Sequence, residues 1–131
     1  MAHVPCIVSP FAGSTVDKLS LGKGGEDVAV AAALAEGYQV LARNWRCALG
    51  ELDLVLRKGK TIVFVEVKTR TGRHYGEAWE SVTYAKQARI RRVARWYAKE
   101  MAISEHSFRF DVFAVEFRHG RWQYRWFKNA F

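Results

Sequence analysis

The sequence predicts a single α/β domain, and three observations support this prediction. The 131 residues suffice for one hydrophobic core but not for two cores and a linker. Two segments carry apolar residues at helical spacing, and several shorter segments are rich in β-branched and aromatic residues. Half of the residues are hydrophobic and about a quarter are charged, as in ordinary globular proteins. We expect residues 1–20 to form a poorly ordered leader and residues 21–131 to form the domain.

Two helices are predicted. The first spans Glu26 to Glu36, follows a glycine-rich entry that we interpret as flexible, and ends at Gly37, a residue type that favours helix C-termini. The second spans Ser81 to Met101, where apolar residues recur along one helical stripe. The polar, glycine-containing segment Thr69 to Trp79 precedes it and is predicted to be a loop.

Five strands are predicted from β-prone segments bounded by turn residues. In chain order they are Tyr38 to Trp45, Glu51 to Arg57, Thr61 to Lys68, Phe108 to Phe117 and Trp122 to Phe127. The third is apolar on both faces apart from its end, which is typical of a central strand covered on each side. Tight turns are expected at Lys58-Gly59-Lys60 and at His119-Gly120.

The charge balance indicates a polyanionic partner. Lys and Arg exceed Asp and Glu by 21 to 13, giving a net charge of +8, which favours association with nucleic acid. We do not expect a membrane partner, because no apolar run approaches bilayer-spanning length and the predicted helices lack the aromatic-rich apolar face of an interfacial anchor. The first 20 residues do not resemble a signal peptide, and Cys6 and Cys47 fit neither a disulfide framework nor a zinc site. These features predict a cytoplasmic protein.

The end of the third strand is the strongest local anomaly. Glu66 and Lys68 interrupt an otherwise apolar element, and the period of two places them on one face with Ile62 and Phe64. A solvated strand end would explain a single charge. Because charged groups beside a core strand are rarely left without a partner, two of them predict a further polar group nearby.

The register of the preceding hairpin identifies that group as Asp53. If Lys58 to Thr61 form the connection, Asp53 lies directly opposite Glu66; if the connection is two residues long, Asp53 opposes Phe64 with Glu66 diagonal to it. Both registers put the two carboxylates on one face, where they would repel each other unless a cation lies between them or one is protonated. An oxygen-rich pocket of this kind suits Mg²⁺ or Mn²⁺.

Beside such a cation, the Lys68 ammonium would suit phosphodiester hydrolysis, which needs an activated water and stabilisation of an anionic transition state. An ordinary ion pair of Lys68 with Glu66 or Asp53 explains the same spacing, and the residues alone leave both interpretations open.

Taken together, these motifs resemble a known family. Asp53 followed by Glu66-Val67-Lys68, with Glu26 on a preceding helix, resembles the PD-(D/E)XK nuclease superfamily. A longer ordered series is similar to the bacterial YraN family: Gly25-Glu26, Asn44-Trp45-Arg46, Gly50-Glu51-Leu52-Asp53-Leu54, Phe64-Val65-Glu66-Val67-Lys68-Thr69-Arg70, Lys86 and Arg109-Phe110-Asp111-Val112. The series runs from about Gly22 to Glu116. Leu52 departs from the proline in the superfamily's name.

The resemblance implies a restriction-endonuclease-like core, with a mixed central sheet flanked by helices, and a metal held by Asp53, Glu66 and the carbonyl of Val67. Glu26 would complete the metal shell from the first helix. Lys68 would activate water or stabilise the transition state. The implied catalytic set is therefore Glu26, Asp53, Glu66 and Lys68, with Lys86 as an auxiliary basic residue that faces the site.

The second helix carries an excess of positive charge that is not interspersed with acids, so phosphate contacts explain it better than a solvated face does. The residues predicted to contact nucleic acid are Arg70, Arg73, Lys86, Arg89 and Arg92. Such contacts position a backbone without reading bases, so we expect recognition of shape or branching.

Core packing is expected for Trp96, Trp122 and Trp126, and a structural role for Asp111, paired with Arg109 or a helix end.

These expectations combine into one functional hypothesis. The chain is expected to be a Mg²⁺- or Mn²⁺-dependent endonuclease for branched, flapped or single-stranded DNA in repair or recombination. The alternative is a non-catalytic nucleic-acid-binding subunit that keeps the nuclease fold. DNA is favoured over RNA as the substrate, and the residues leave open whether the protein forms a homodimer.

Overall fold

A computed structural model describes residues 6–8, 18–70, 82–104 and 106–131, which form two helices and six strands. In chain order the elements are β1 Cys6–Val8, α1 Lys18–Ala35, β2 Gln39–Cys47, β3 Gly50–Lys58, β4 Thr61–Arg70, α2 Tyr84–Glu100, β5 Ser107–Arg118 and β6 Arg121–Phe127. The five predicted strands and two predicted helices are all present. Their bounds differ from the predicted ones at several ends.

The strands form one mixed sheet in the order β1-β6-β5-β4-β3-β2. The central pair β4 and β5 is parallel, and each other neighbouring pair is antiparallel. Parallel strands need a crossover connection, and α2 supplies it between β4 and β5. The predicted α/β architecture, a mixed sheet flanked by helices, is confirmed and is consistent with a restriction-endonuclease-like fold.

Each face of the sheet packs against one helix. Val63 and Val65 of β4 join a cluster with Val28, Ala29 and the other buried residues of α1. Ile62 and Phe64 point the other way, into a cluster with the buried residues of α2. This two-sided packing is the physical reason why β4 is apolar on both faces.

Helix α1 begins at Lys18, eight residues before the predicted start at Glu26, so the prediction of a flexible glycine entry was wrong. Gly24 and Gly25 lie inside the helix. A Cβ at Gly24 would overlap the ring of Trp122, and one at Gly25 would overlap the hydroxyl of Thr69. The glycines therefore permit close contact between α1 and the sheet.

The predicted stop of α1 is confirmed. Gly37 has a φ of +87°, and the amide of Tyr38 donates to the carbonyl of Ala33 at 3.0 Å, as expected of a left-handed helix C-terminus.

Helix α2 begins at Tyr84 rather than at Ser81, because Thr83 caps it: the Thr83 hydroxyl accepts a hydrogen bond from the Lys86 amide at 3.3 Å. The predicted loop starts too early as well, since β4 continues through Thr69 to Arg70. The remainder of that loop, residues 71–79, lies outside the described residues. Within the predicted leader, residues 6–8 and 18–20 belong to β1 and α1, and its other residues are also outside the description.

Trp122 and Trp126 are buried, as predicted, but Trp96 is 44% exposed, so its predicted core position was wrong. It is not among the buried residues of α2, which are Ile90, Val93, Ala94, Tyr97 and Ala98. Asp111 is fully buried and accepts hydrogen bonds from Arg109 and Trp126, which agrees with the predicted structural role. In the described part of the chain, no helix is long and apolar enough to cross a bilayer.

Candidate metal centre

The hairpin register places Asp53 against Glu66. The β3–β4 ladder runs from Lys58 opposite Thr61 to Leu54 opposite Val65, and the same register continued by one position would set Asp53 opposite Glu66. This is the first of the two predicted registers, but the connection predicted for it was wrong. Only Gly59 and Lys60 join the paired residues, so a two-residue turn gives this register and not the one with Asp53 opposite Phe64.

The two strands separate at Asp53. Beyond the end of the ladder, the Asp53 Oδ2 atom accepts a hydrogen bond from the Val67 amide at 2.9 Å. Leu52 packs in the same cluster as Val55, although strict alternation would place residues three apart on opposite faces. The Asp53 carboxylate therefore lies between the strand ends, beside the peptide group of Val67.

A cavity of about 560 Å³ opens at this point. The strand pair contributes Asp53 and Glu66 to its lining, and α2 contributes Lys86, Arg89 and Ile90. The β2–β3 hairpin contributes the remaining lining residues, which are Arg46, Cys47, Gly50 and Glu51. Carboxylates from the sheet are thus surrounded by basic side chains from two different elements.

The environment of Asp53 disfavours a negative charge. Burial and the neighbouring Glu66 carboxylate raise the pKa of Asp53 from 3.8 to about 7, although the hydrogen bond from Val67 lowers it. The charges of Glu26 and Glu51 raise it further. Two carboxylates with this mutual repulsion form a position at which a cation is stabilised.

A pair of lysines lies next to the carboxylates. The Lys68 Nζ atom is 3.4 Å from the Glu66 Oε1 atom, and the two side chains are only 12% and 16% exposed. The neighbouring Lys68 amine and burial lower the pKa of Lys86. The ordinary ion pair of Lys68 with Glu66 therefore exists, but it leaves a second lysine beside the first.

Glu26 reaches the same region from α1 without lining the cavity. Its Oε2 atom accepts a hydrogen bond from the Asn44 side chain at 2.9 Å and lies 3.8 Å from the Arg43 guanidinium, whose closer partner is Asp27 at 2.8 Å. Asn44 has a φ of +50°, a conformation that Asn adopts more readily than most residues. This backbone conformation accompanies the hydrogen bond from the Asn44 side-chain amide to the Glu26 carboxylate.

The predicted nucleic-acid contacts are divided among different places. Lys86 and Arg89 line the cavity, whereas Arg92 is exposed on α2 outside the lining. Arg70 is half-buried at the end of β4, where it donates to the carbonyl of Thr69. Arg73 lies outside the described residues.

Sequence reasoning missed the contribution of the β2–β3 hairpin. Arg46 and Gly50 were noted only as parts of the motif series. A signal was available, because cross-strand pairing across a short turn sets Arg46 opposite Glu51, which the strand period places on the face of Asp53.

The donor set fits a hard divalent cation. The candidate ligands are carboxylate oxygens and a backbone carbonyl, and the Cys47 thiol in the lining belongs to a different element. Within the described ranges, no group of three His, Cys, Asp or Glu side chains converges tightly enough to hold an ion unaided. A Mg²⁺ ion bound here would take its remaining ligands from water and substrate phosphates, as Mg²⁺ usually does.

A family model agrees with the motif series. The model of the uncharacterised protein family UPF0102 matches residues 25–115, the greater part of the chain. The chain belongs to this family. It is the YraN-like family, so the resemblance drawn from the motifs is confirmed, and the matched range contains Glu26, Asp53, Glu66, Lys68 and Lys86.

Individual UPF0102 proteins are similar over most of their length. One from Frankia casuarinae is 52% identical over 99 residues, which cover 75% of this chain and 83% of the relative. One from Syntrophotalea carbinolica is 43% identical over 117 residues, covering 89% and 95%. One from Pelotomaculum thermopropionicum is 47% identical over 113 residues, covering 85% and 94%. Membership relates this chain to UPF0102 without assigning a reaction, since the family is uncharacterised.

Proposed function

We propose that this UPF0102 chain is a Mg²⁺- or Mn²⁺-dependent endonuclease that hydrolyses phosphodiester bonds in branched, flapped or single-stranded DNA during repair or recombination. The observation that carries this proposal is the adjacency of two pairs of like-charged residue types. Burial and the Glu66 carboxylate raise the pKa of Asp53, and Lys68 and Lys86 lie beside them.

Each pair is suited to an ion of the opposite sign. Two partly buried carboxylates favour a cation, and two neighbouring lysines favour an anion. A metal phosphate complex would satisfy both demands at once, whereas a purely structural ion-pair network would pair Asp53 with Lys86 as Glu66 is paired with Lys68, and no Asp53–Lys86 ion pair is present in the described part of the chain. The arrangement therefore supports phosphoryl chemistry over a structural role.

Asp53, Glu66 and the Val67 carbonyl would hold the cation, and Glu26 would complete the set from α1. The hydrogen bond from the Val67 amide fixes the Asp53 carboxylate beside that peptide, and Asn44 fixes Glu26. When bound, the cation would supply Lewis-acid stabilisation of the phosphoryl oxygens and a lower pKa for the attacking water.

The lysines would provide positive charge and a proton acceptor. Lys68, held against Glu66, is placed to stabilise the charge that develops on the phosphoryl group. Lys86 releases its proton more readily than an ordinary lysine because Lys68 and burial lower its pKa, so it is suited to accept a proton from the attacking water.

Recognition of nucleic-acid shape follows from the kinds of residues around the cavity. Lys86 and Arg89 offer contacts to phosphates, and phosphate contacts do not distinguish bases. The net charge of +8 supports binding to a polyanion. The alternative, a non-catalytic binding subunit, would use the same basic residues without needing Asp53.

The test is a cleavage assay on a panel of branched, flapped, single-stranded and duplex DNA, with Mg²⁺, Mn²⁺ or EDTA. We expect wild-type protein to cut at least one branched or single-stranded substrate only with metal. Asp53→Asn and Lys68→Ala should lower the rate by at least about 100-fold while most DNA binding remains. Glu100→Gln, at an exposed carboxylate of α2, is the matched control and should cut normally.

Two results would count against the proposal. Equal cleavage by wild type and Asp53→Asn would show that the activity is a contaminant. Metal-independent DNA binding by wild type, with no cleavage of any substrate, would favour the non-catalytic subunit.

A further inference from the structure

The β2–β3 hairpin forms a second wall of the cavity, next to the wall formed by α2. Arg46 and Glu51 line this wall, while Lys86 and Arg89 line the other. The two walls meet at Gly50, where an added Cβ would come within 3.1 Å of the Val93 side chain. This close approach fixes the end of the hairpin against α2, so the position of Arg46 relative to the carboxylates is set by packing.

Arg46 forms an exposed ion pair that a phosphate ligand could replace. Its Nε atom lies 3.2 Å from Glu51 Oε2, and the two side chains are 75% and 39% exposed. Exposed ion pairs of this kind contribute little to stability. A phosphate can offer a guanidinium two parallel hydrogen bonds, so it competes well with one carboxylate oxygen.

The charges of the lining are balanced in number but separated in space. Three basic residues stand on the two walls, and of the three acidic residues only Glu51 belongs to a wall. If a cation neutralises Asp53 and Glu66, the walls attract phosphates from both sides. Glu51 is then the single acid that opposes this attraction, and Arg46 is the base that it masks.

We propose that Arg46 is a phosphate-binding residue of a two-walled cleft for a polynucleotide backbone, and that Glu51 is its exchangeable partner in the free protein. This inference rests on the proposed function, since it takes nucleic acid as the ligand. It adds the β2–β3 hairpin as a second binding element. The proposed function by itself needs phosphate contacts only from the basic helix α2.

The experiment measures the affinity of the full chain for a fluorescent, uncleavable single-stranded 20-nucleotide DNA and for an uncleavable four-way junction, with Mg²⁺ and with EDTA, over a salt series. The variants are Arg46→Gln, Glu51→Gln and their double mutant. Arg57→Gln is the matched control, because it removes the same charge from β3 at the opposite end of the sheet, where Arg57 donates to the carbonyl of Gly59. Thermal melting checks that each variant folds.

Arg46→Gln should weaken binding by about three- to tenfold and lower the salt slope by about 0.7 to 0.9. Arg57→Gln should change affinity by less than about twofold, because it is remote from the cleft. Glu51→Gln should tighten binding by about two- to fivefold when Arg46 is present, and clearly less in the double mutant.

Equal affinities of Arg46→Gln and Arg57→Gln would overturn this inference and leave the proposed function standing. An equal effect of Glu51→Gln with and without Arg46 would overturn the masking role of Glu51. Failure of the wild type to bind or cut any nucleic acid would overturn the proposed function, and this inference with it.

Discussion

Asp53 is the residue whose environment departs furthest from that of an ordinary aspartate. It is half-buried, lies beside Glu66 in the cavity lining and has a pKa raised to about 7. In the folded, metal-free protein the group therefore binds a proton at pH values where the unfolded chain does not. As pH rises from about 4 through about 7, the folded state loses the stability that this proton provides.

This linkage predicts the behaviour of Asp53→Asn without metal. The variant cannot ionise at this position, and its amide oxygen can still accept the hydrogen bond from Val67. We expect it to melt roughly 3 to 6 °C above wild type at pH 8 and close to wild type at pH 5. Differential scanning fluorimetry at both pH values, with EDTA, measures the difference.

A melting temperature of Asp53→Asn that lies below the wild type by the same amount at both pH values would contradict this linkage. Added Mg²⁺ provides an independent check. It should raise the melting temperature of wild type at pH 8 clearly more than that of Asp53→Asn, because ligands that bind only the folded state stabilise it in proportion to their affinity.

The sequence predicts those site residues whose relative positions are set by neighbouring strands, and it does not predict those that tertiary packing brings together. Strand alternation and hairpin register are local rules, and they are sufficient to bring Asp53, Glu66 and Lys68 together from the sequence alone. Glu26 lies on α1 across the sheet, and its partner Asn44 has a positive φ that no pattern announces. Those contacts depend on how a helix packs and how one strand is locally distorted, which spacing does not encode.

At the scale of elements, the contact between α1 and β4 sets the position of the Glu26 side chain. Gly25 lies directly against Thr69, and the next residue is Glu26. Gly25→Ala should destabilise the protein by about 1 to 3 kcal/mol, since the new methyl overlaps the Thr69 hydroxyl. In a Thr69→Ala background the overlap disappears, and the higher helix propensity of Ala should make the same substitution neutral or stabilising.

Urea unfolding of the two single mutants and the double mutant gives this comparison as a double-mutant cycle. If Gly25→Ala costs the same stability with and without Thr69, the contact does not set the distance between α1 and β4.

The sequence predicts the elements well where periodicity is strong and less well at their ends. All five predicted strands and both helices exist, because strong apolar patterns persist under tertiary packing. The start of α1 was wrong because glycines usually weaken helices, whereas Gly24 and Gly25 are needed here for close approach. The start of α2 depends on the Thr83 hydroxyl, which caps the helix. The sequence offers other residues that could cap a helix nearby, so the pattern alone does not select Thr83.

For the whole molecule, the excess of positive charge predicts salt-sensitive binding. If Arg46, Lys86 and Arg89 each contact one phosphate of single-stranded DNA, the logarithm of the association constant should fall with the logarithm of salt concentration with a slope of about −2. Fluorescence anisotropy between 50 and 300 mM salt, roughly the range in which such slopes are measured, gives this number. A slope near zero would mean that the basic residues do not contact the nucleic acid.

The proposed chemistry depends on the carboxylate pair holding a divalent cation, and calorimetric titration of Mn²⁺ at pH 8 into protein with a short, uncleavable single-stranded DNA tests this directly. Wild type and Glu100→Gln should bind Mn²⁺ with equal affinity, and Asp53→Asn should bind at least about tenfold more weakly, because it loses a carboxylate ligand. Equal Mn²⁺ affinity of wild type and Asp53→Asn would contradict the proposed metal centre.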